Sequence, residues 1–276
     1  MTLLKNTRRF LAGVLAVLLV CMTLPGPVFA ESEPLEAVYL DGVNGNDIND
    51  GDSTNHAVKT FAKAKALVSD TGVIYITGKV MVSDAQTWSL PGDPDTGFQA
   101  MLQRYSGYNG CLVEISYPDG KLTLDDIIID GNANVNATSE MLFISGGIDN
   151  TVVDAVLAMN SGVILQNNKN TSGTGGAVRI LGKGARFEMN GGLITGNQAN
   201  QGGAICLDTG HFIMNGGMIT DNSANQEGGG IYYASPPSEG QRFELNGGGL
   251  INNTAAAGSG SAIFYITTAA ATNRLT

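Results

Sequence analysis

The chain has 276 residues, with 15 basic against 25 acidic side chains, a formal charge of −10 and 38 glycines. A balance this acidic makes nucleic acid and anionic membrane surfaces poor partners. The few charges and many glycines are spread through a pattern that is read best from the N-terminus.

Lys5, Arg8 and Arg9 precede an apolar stretch from Phe10 to Leu24, and Val28-Phe29-Ala30 ends on a small residue before the acidic Glu31-Ser32-Glu33. That order of basic, apolar and small residues predicts a secretory signal peptide over 1–30, removed in the mature chain, so no transmembrane segment is retained. Pro25 and Pro27 interrupt the run, against its serving as a membrane anchor. Losing three basic residues with the leader takes the formal charge from −10 to −13.

Residues 31–72 read as an N-terminal cap. Val38-Tyr39-Leu40 predicts a strand, Asp41 to Ser53 a loop of Gly, Asp and Asn, and Ala57 to Val68 an amphipathic helix with Val58, Phe61, Ala62, Ala64 and Leu67 near helical spacing. A single helix ahead of stacked strands covers an apolar end that would otherwise expose a sheet edge. Within the loop, Asp41, Asp47, Asn49 and Asp50 offer hard oxygen ligands that suit calcium. The same residue types make tight turns with no metal, and the spacing is not that of an EF-hand.

Strands are predicted at Val73-Ile74-Tyr75-Ile76 and Lys79-Val80-Met81-Val82; Asp84 to Gly110 shows no regular pattern, and regular repeats are expected from about 111 through 276. Five copies of one block carry that expectation. Asp125 to Asn132, Asn160 to Asn167, Asn190 to Asn197, Asn215 to Asn222 and Asn246 to Asn253 align without gaps, and their last Asn recurs after 35, 30, 25 and 31 residues. Such a period means stacked units. Before each block, segments such as Arg186-Phe187-Glu188-Met189 and His211-Phe212-Ile213-Met214 alternate with the two-residue period of a strand.

Three short strands per unit, parted by Gly and Asn, predict an all-β fold: a right-handed parallel β-helix with an N-terminal capping helix. Equivalent residues then form columns about 4.8 Å apart. Leu122, Leu157, Phe187, Phe212 and Phe243 are expected inside, beside Leu124, Met159, Met189, Met214 and Leu245. The five terminal asparagines are expected to stack at a bend, with the Gly pairs supplying positive φ. Cys111 and Cys206 fall three units apart, about 14 Å, beyond the reach of a disulfide.

Outward positions are where a binder acts. Arg179, Cys206, Tyr232 and Phe264 align on the outer side of one strand, making Arg179, Tyr232 and Phe264 the candidate ligand-binding residues; the aromatics either stack on sugar rings or lie under the loop Ala234 to Gly240. No catalytic residue is predicted. Asp125-Asp126 is the one Asp-Asp pair and occupies a turn, while His211 shares an outward column with Arg186 and Arg242 and reads as a solvated surface residue.

Tyr39-Leu40-Asp41, the Gly45 to Gly51 loop and Lys59-Thr60-Phe61-Ala62-Lys63-Ala64 resemble the N-terminal cap of pectate-lyase-like right-handed β-helix proteins. Ile129-Asp130-Gly131-Asn132 and Gly202-Gly203-Ala204-Ile205 resemble repeats of secreted bacterial adhesin-like surface proteins. The resemblance covers about residues 38–266 and implies the fold more strongly than any activity, since one scaffold hosts lyases, hydrolases and non-catalytic adhesins. The expectation is a secreted or cell-surface, non-catalytic protein of adhesin-like or carbohydrate-binding type, its partner a glycan or another cell-surface ligand. The alternative is a secreted polysaccharide lyase or glycoside hydrolase, which would need three or more outward charged residues in one groove. The chain stops within a unit at Asn273-Arg274-Leu275-Thr276, so truncation and end-to-end self-association through an open last unit are expected.

Overall fold

The structure, a computed structural model, describes residues 33–92, 98–116, 118–148, 154–234, 242–256 and 258–265. The expected leader 1–30, the tail Thr267–Thr276 and the segment 235–240 lie outside the described residues. The described residues are mostly short strands in all-parallel sheets of eight, seven, six and three strands, with one α-helix among them, an arrangement compatible with a parallel β-helix.

The chain visits the three larger sheets in turn. Ala185–Met189 lies in the six-stranded sheet, Leu193–Thr195 in the eight-stranded, Ile205–Leu207 in the seven-stranded, and His211–Met214 returns to the six-stranded. Parallel pairing fixes equivalent residues at one height on neighbouring strands. Leu122, Leu157, Phe187, Phe212 and Phe243 pair in one column, and Leu124, Met159, Met189, Met214 and Leu245 in the next but one. Both columns match the sequence alignment. The Phe rings follow one another at 5.4 and 5.8 Å between centroids, and the core runs on through Ile129, Leu165, Ile194 and Ile219 of the eight-stranded sheet.

Repeats begin earlier than the pattern indicates. Ala85–Trp88 and Met101–Arg104, inside the stretch read as irregular, pair in register with Lys121–Leu124 and Ile128–Asp130. A three-stranded sheet of Lys169–Thr174, Gln198–Gln201 and Ser223–Ala224, absent from the sequence reading, follows the bend in three units.

Two asparagine ladders hold the units together. After the six-stranded sheet, Asn246, Asn215 and Asn190 each donate an amide hydrogen to the preceding member, ending at Asn160, at 2.9, 2.9 and 3.3 Å. The glycine two residues on turns the chain: Gly192, Gly217 and Gly248 have φ of 81°, 86° and 88°. That ladder is exposed at Asn190, Asn215 and Asn246.

The second ladder is buried, at the bend after the eight-stranded sheet. Asn197 Nδ2 donates to Asn222 Oδ1 and Asn222 Nδ2 to Asn253 Oδ1, both at 3.0 Å, and each of these oxygens also takes the backbone N–H of the preceding ladder residue. The remaining amide hydrogens reach carbonyls such as Ile194 and Thr220, which would otherwise be buried without a donor.

This ladder differs from the expected one at two members. Its fourth residue is Asn168, whose N–H donates to Asn197 Oδ1 at 3.0 Å, and Asn167 instead takes the left-handed φ of 60°. Six steps separate Met159 from Leu165 but five separate Met189 from Ile194, so this unit carries one inserted residue that a gapless alignment absorbs. Asn132 leaves the column too, donating to the Arg104 carbonyl. Arg104 takes its place: the guanidinium, wholly buried, donates to Asn168 Oδ1 at 2.8 Å and to the carbonyls of Gly131 and Gly110. Glycine at 131 makes the passage possible, since a Cβ there would stand 2.4 Å from Asn168 Cα. Burial lowers the Arg104 pKa to about 10, so the charge persists at neutral pH and is met by neutral oxygens.

Removing Asn222 leaves the buried Asn197 N–H without its acceptor and takes a donor from the Ile194 and Thr220 carbonyls, losses of about 1–3 kcal/mol for each buried group left unpaired. Asn222→Ala is expected to cost about 3 kcal/mol or more, and exposed Asn215→Ala under about 1 kcal/mol. Urea midpoints at unchanged slope measure both, and equal losses would show that burial does not set the ladder's worth.

Candidate functional site

The outward column of the seven-stranded sheet runs Glu114, Phe143, Arg179, Cys206, Tyr232 and Phe264 in register, so Arg179, Tyr232 and Phe264 share one face as the sequence alignment places them. Tyr232 and Phe264 lie 5.8 Å apart and within 8° of parallel. Their faces cover one another along the column, so an approaching ligand meets ring edges. Tyr232 is 8% exposed, Cys206 is fully buried and Phe264 is half-buried.

Arg179 Nε donates to Asp208 Oδ2 at 2.6 Å, and the guanidinium sits 5.8 Å from the Phe143 ring centroid. Burial works against the charge, and the Asp208 bond and charge outweigh it to raise the Arg179 pKa. Beside this pair stands Glu140, a carboxyl buried among the repeats and raised by that burial. It occupies the position of Gly176 and Gly203 in the following units, two residues before the paired Leu142, Val178 and Ile205. Gln201 donates to Glu227 on the same flank. Nothing in the residue pattern marks Glu140 or Asp208 as neighbours of Arg179; only the register brings them together. Burial raises the thiol pKa of both Cys206 and Cys111, and both cysteines are free.

A second charged face lies on the outer side of the six-stranded sheet. Arg186 pairs in register with His211, and Glu188 with Ile213, which in turn pairs with Glu244; Arg242 precedes Phe243, the partner of Phe212. Arg186 bonds Glu188, and Arg242 lies 3.7 Å from Glu244. His211 does share its column with Arg186 and Arg242, but it is 5% exposed, not solvated. Long side chains flank its rung on both sides, and Ile213 beside it is equally covered at 7%. Burial, with Arg186 and Arg242 adding to it, lowers the His211 pKa although the Lys183 carbonyl accepts its ring hydrogen. His211 Nε2 and Arg186 Nε are buried without a partner. Asp125 and Asp126 are exposed at their turn, Asp126 with φ of 43°, and join neither face.

In the cap loop the four predicted calcium ligands serve separate turns. Asp41 Oδ1 accepts from the N–H of Val43 and Asn44, both at 2.9 Å, and Asn49 Nδ2 donates to the Ala57 carbonyl. Asp47 accepts from the N–H of Lys59 and Thr60 and from the Thr60 hydroxyl, at 2.7, 2.9 and 2.8 Å. Among the described residues the acidic and histidine ligand atoms within 4.8 Å of one another belong to Asp50, Asp52 and His56, all exposed, so Asp50 alone of the predicted set is in such a group. The helix is shorter than its apolar spacing indicates, Phe61–Leu67. Val58 bridges to Leu40 and exchanges backbone bonds with Tyr39 and Asp41, which holds Ala57 and Val58 extended, and Thr60 caps the helix.

No family model matches the chain, and searches of curated proteins and of solved structures likewise return no match. Among the described residues no helix is long and apolar enough to cross a membrane.

Asp47 predicts a pH signature for the cap. Burial raises its pKa, and the bonds from Thr60 and Lys59 outweigh this to hold it below the ordinary carboxylate value of 3.8. A carboxylate depressed on folding stabilises fully above its unfolded pKa and loses that contribution as pH falls through the folded value. Asp47→Ala should therefore melt lower than the parent at neutral pH, by about 0.5–2 kcal/mol as for a lost helix cap. The difference should shrink below pH 3.8. A gap unchanged at acid pH would assign the loss to packing instead.

Proposed function

We propose that the chain is a right-handed parallel β-helix of pectate-lyase-like type, secreted or held at a cell surface, that binds glycan without cleaving it. The leader pattern of residues 1–30 supports export, and the turn-by-turn alternation of three parallel sheets supports the coil. The observation that carries the binding reading is the Arg179–Asp208 pair set beside the parallel rings of Tyr232 and Phe264 on one outward column. A guanidinium held by a carboxylate offers fixed donors and acceptors, and the aromatic edges supply apolar contact, the combination by which polar, weakly hydrophobic ligands are recognised. Successive members of the column stand about 4.8 Å apart, so a chain ligand lying along it meets these groups in turn. An adhesin-like role, with the last units also available to a second copy, follows from the same scaffold.

The second reading, a polysaccharide lyase or glycoside hydrolase, is favoured by one observation. The outer face of the six-stranded sheet gathers Arg186, Glu188, His211, Arg242 and Glu244 over three successive strands. Their guanidiniums and carboxylates are paired with one another, which leaves no free base or acid among those four.

A glycan array on the mature domain tests the binding reading. Binding is expected, and Arg179→Gln or Phe264→Ala should weaken it by about tenfold, the loss of one charge-assisted bond or one ring contact, with circular dichroism unchanged. Retained affinity in both variants would move the site elsewhere. Polygalacturonate with calcium should give no unsaturated product in the ultraviolet, and turnover abolished by one substitution on the six-stranded face would put the enzyme reading first.

A further inference from the structure

We propose that His211 and Arg186, on the outer face of the six-stranded sheet, form a second recognition site, one built for a hydroxyl group of a neutral saccharide; the inference rests on the glycan-binding reading but assigns a different face. His211 Nε2 is buried without a partner; in the neutral imidazole with its hydrogen on Nδ1, it is an acceptor. Arg186 Nε–H, on the adjacent strand and in register, is a buried donor with nothing to donate to. Each buried polar atom left this way costs free energy, so the pair awaits a ligand.

The ligand's chemistry follows from the two atoms. One group that accepts from Arg186 and donates to His211 must be both acceptor and donor, which a hydroxyl is and a carboxylate or sulfate is not. Arg186 and His211 are in register on adjacent strands, about 4.8 Å apart at the backbone, so their side chains are neighbours on one face. An anion is further disfavoured because Arg186 already holds Glu188, Arg242 lies by Glu244, and the whole chain carries a formal charge of −10. Glu188 and Glu244 then stand ready to accept from neighbouring hydroxyls of the same sugar. The Arg242–Glu244 side is the way in: the pair is loose at 3.7 Å, and the Arg242 side chain is 64% exposed.

The chain has two histidines, His56 and His211, so the imidazole nitrogens can be followed individually by nitrogen-15 NMR on the full mature chain. The probes are neutral hexasaccharides of glucose, xylose and mannose, with polygalacturonate as the acidic comparison. A neutral hexasaccharide is expected to shift His211 Nε2 while leaving His56 in place, and Arg186→Lys, which keeps the charge but loses the Nε donor, should weaken that binding about tenfold. Neutral saccharide binding with His211 unmoved and Arg186→Lys unaffected would overturn this site and leave the glycan reading standing on the Arg179 column. A His211 response to polygalacturonate alone would overturn the assignment to a neutral saccharide, and no binding of any probe would remove both readings.

Discussion

A chain that bends at the same place in every repeat buries the same backbone groups each time, and those groups must find partners that no sheet supplies. The buried asparagine ladder answers that constraint. One primary amide per unit provides an acceptor for the neighbouring N–H and donors for two carbonyls, so the bend closes without water. Everything else in the repeat depends on this closure. Strand register fixes which side chains form columns, and columns decide that phenylalanine meets phenylalanine inside and that Arg179 meets Asp208 outside. The exposed ladder of Asn160, Asn190, Asn215 and Asn246 repeats the chemistry where solvent could substitute, so identical residues at two bends carry different weights.

The core was legible in the sequence because its signal is redundant. Five aligned blocks specify inward columns from Leu122 to Phe243, and an error in one block is corrected by its neighbours. Where a signal is carried by one unit it was misread. The inserted residue between Met159 and Leu165 hid behind an adjacent asparagine, since Asn167 and Asn168 look alike to a gapless alignment. Ala85–Trp88 and Met101–Arg104 lack the Asn-Gly-Gly marker and were passed over, although their pairing is as regular as any other. The apolar spacing overstates the helix because Ala57 and Val58 fit an apolar helical stripe while their backbone belongs to a bridge with the first strand.

The outward faces were legible in part. Alignment puts Arg179, Tyr232 and Phe264 together, but Asp208 and Glu140 stand just outside the paired strand residues, where no alternation of residue types marks them as neighbours of Arg179. His211 was read by its column and not by its neighbours: an outward residue between two long charged side chains is covered by them. The cap loop shows the same limit differently. Asp47 carries the composition of a metal ligand and the geometry of an anchor, and only the position of Lys59 and Thr60 tells the two apart.

The buried ladder also has a direction. Asn168, Asn197 and Asn222 each donate to the next member, ending on the Asn253 oxygen, and the first oxygen, that of Asn168, is taken by Arg104 reaching over Gly131. Interior units of such an array are interchangeable, because each presents to its neighbours the same donor and acceptor that it receives from them. The two successive units that carry Arg104 and Gly131 are not, since one supplies the terminal donor and the other the gap through which it passes. Duplication or loss of whole units between Asn168 and Asn253 leaves the hydrogen-bond chain intact, so the protein's length can drift by repeats while its starting point stays fixed by one arginine and one glycine.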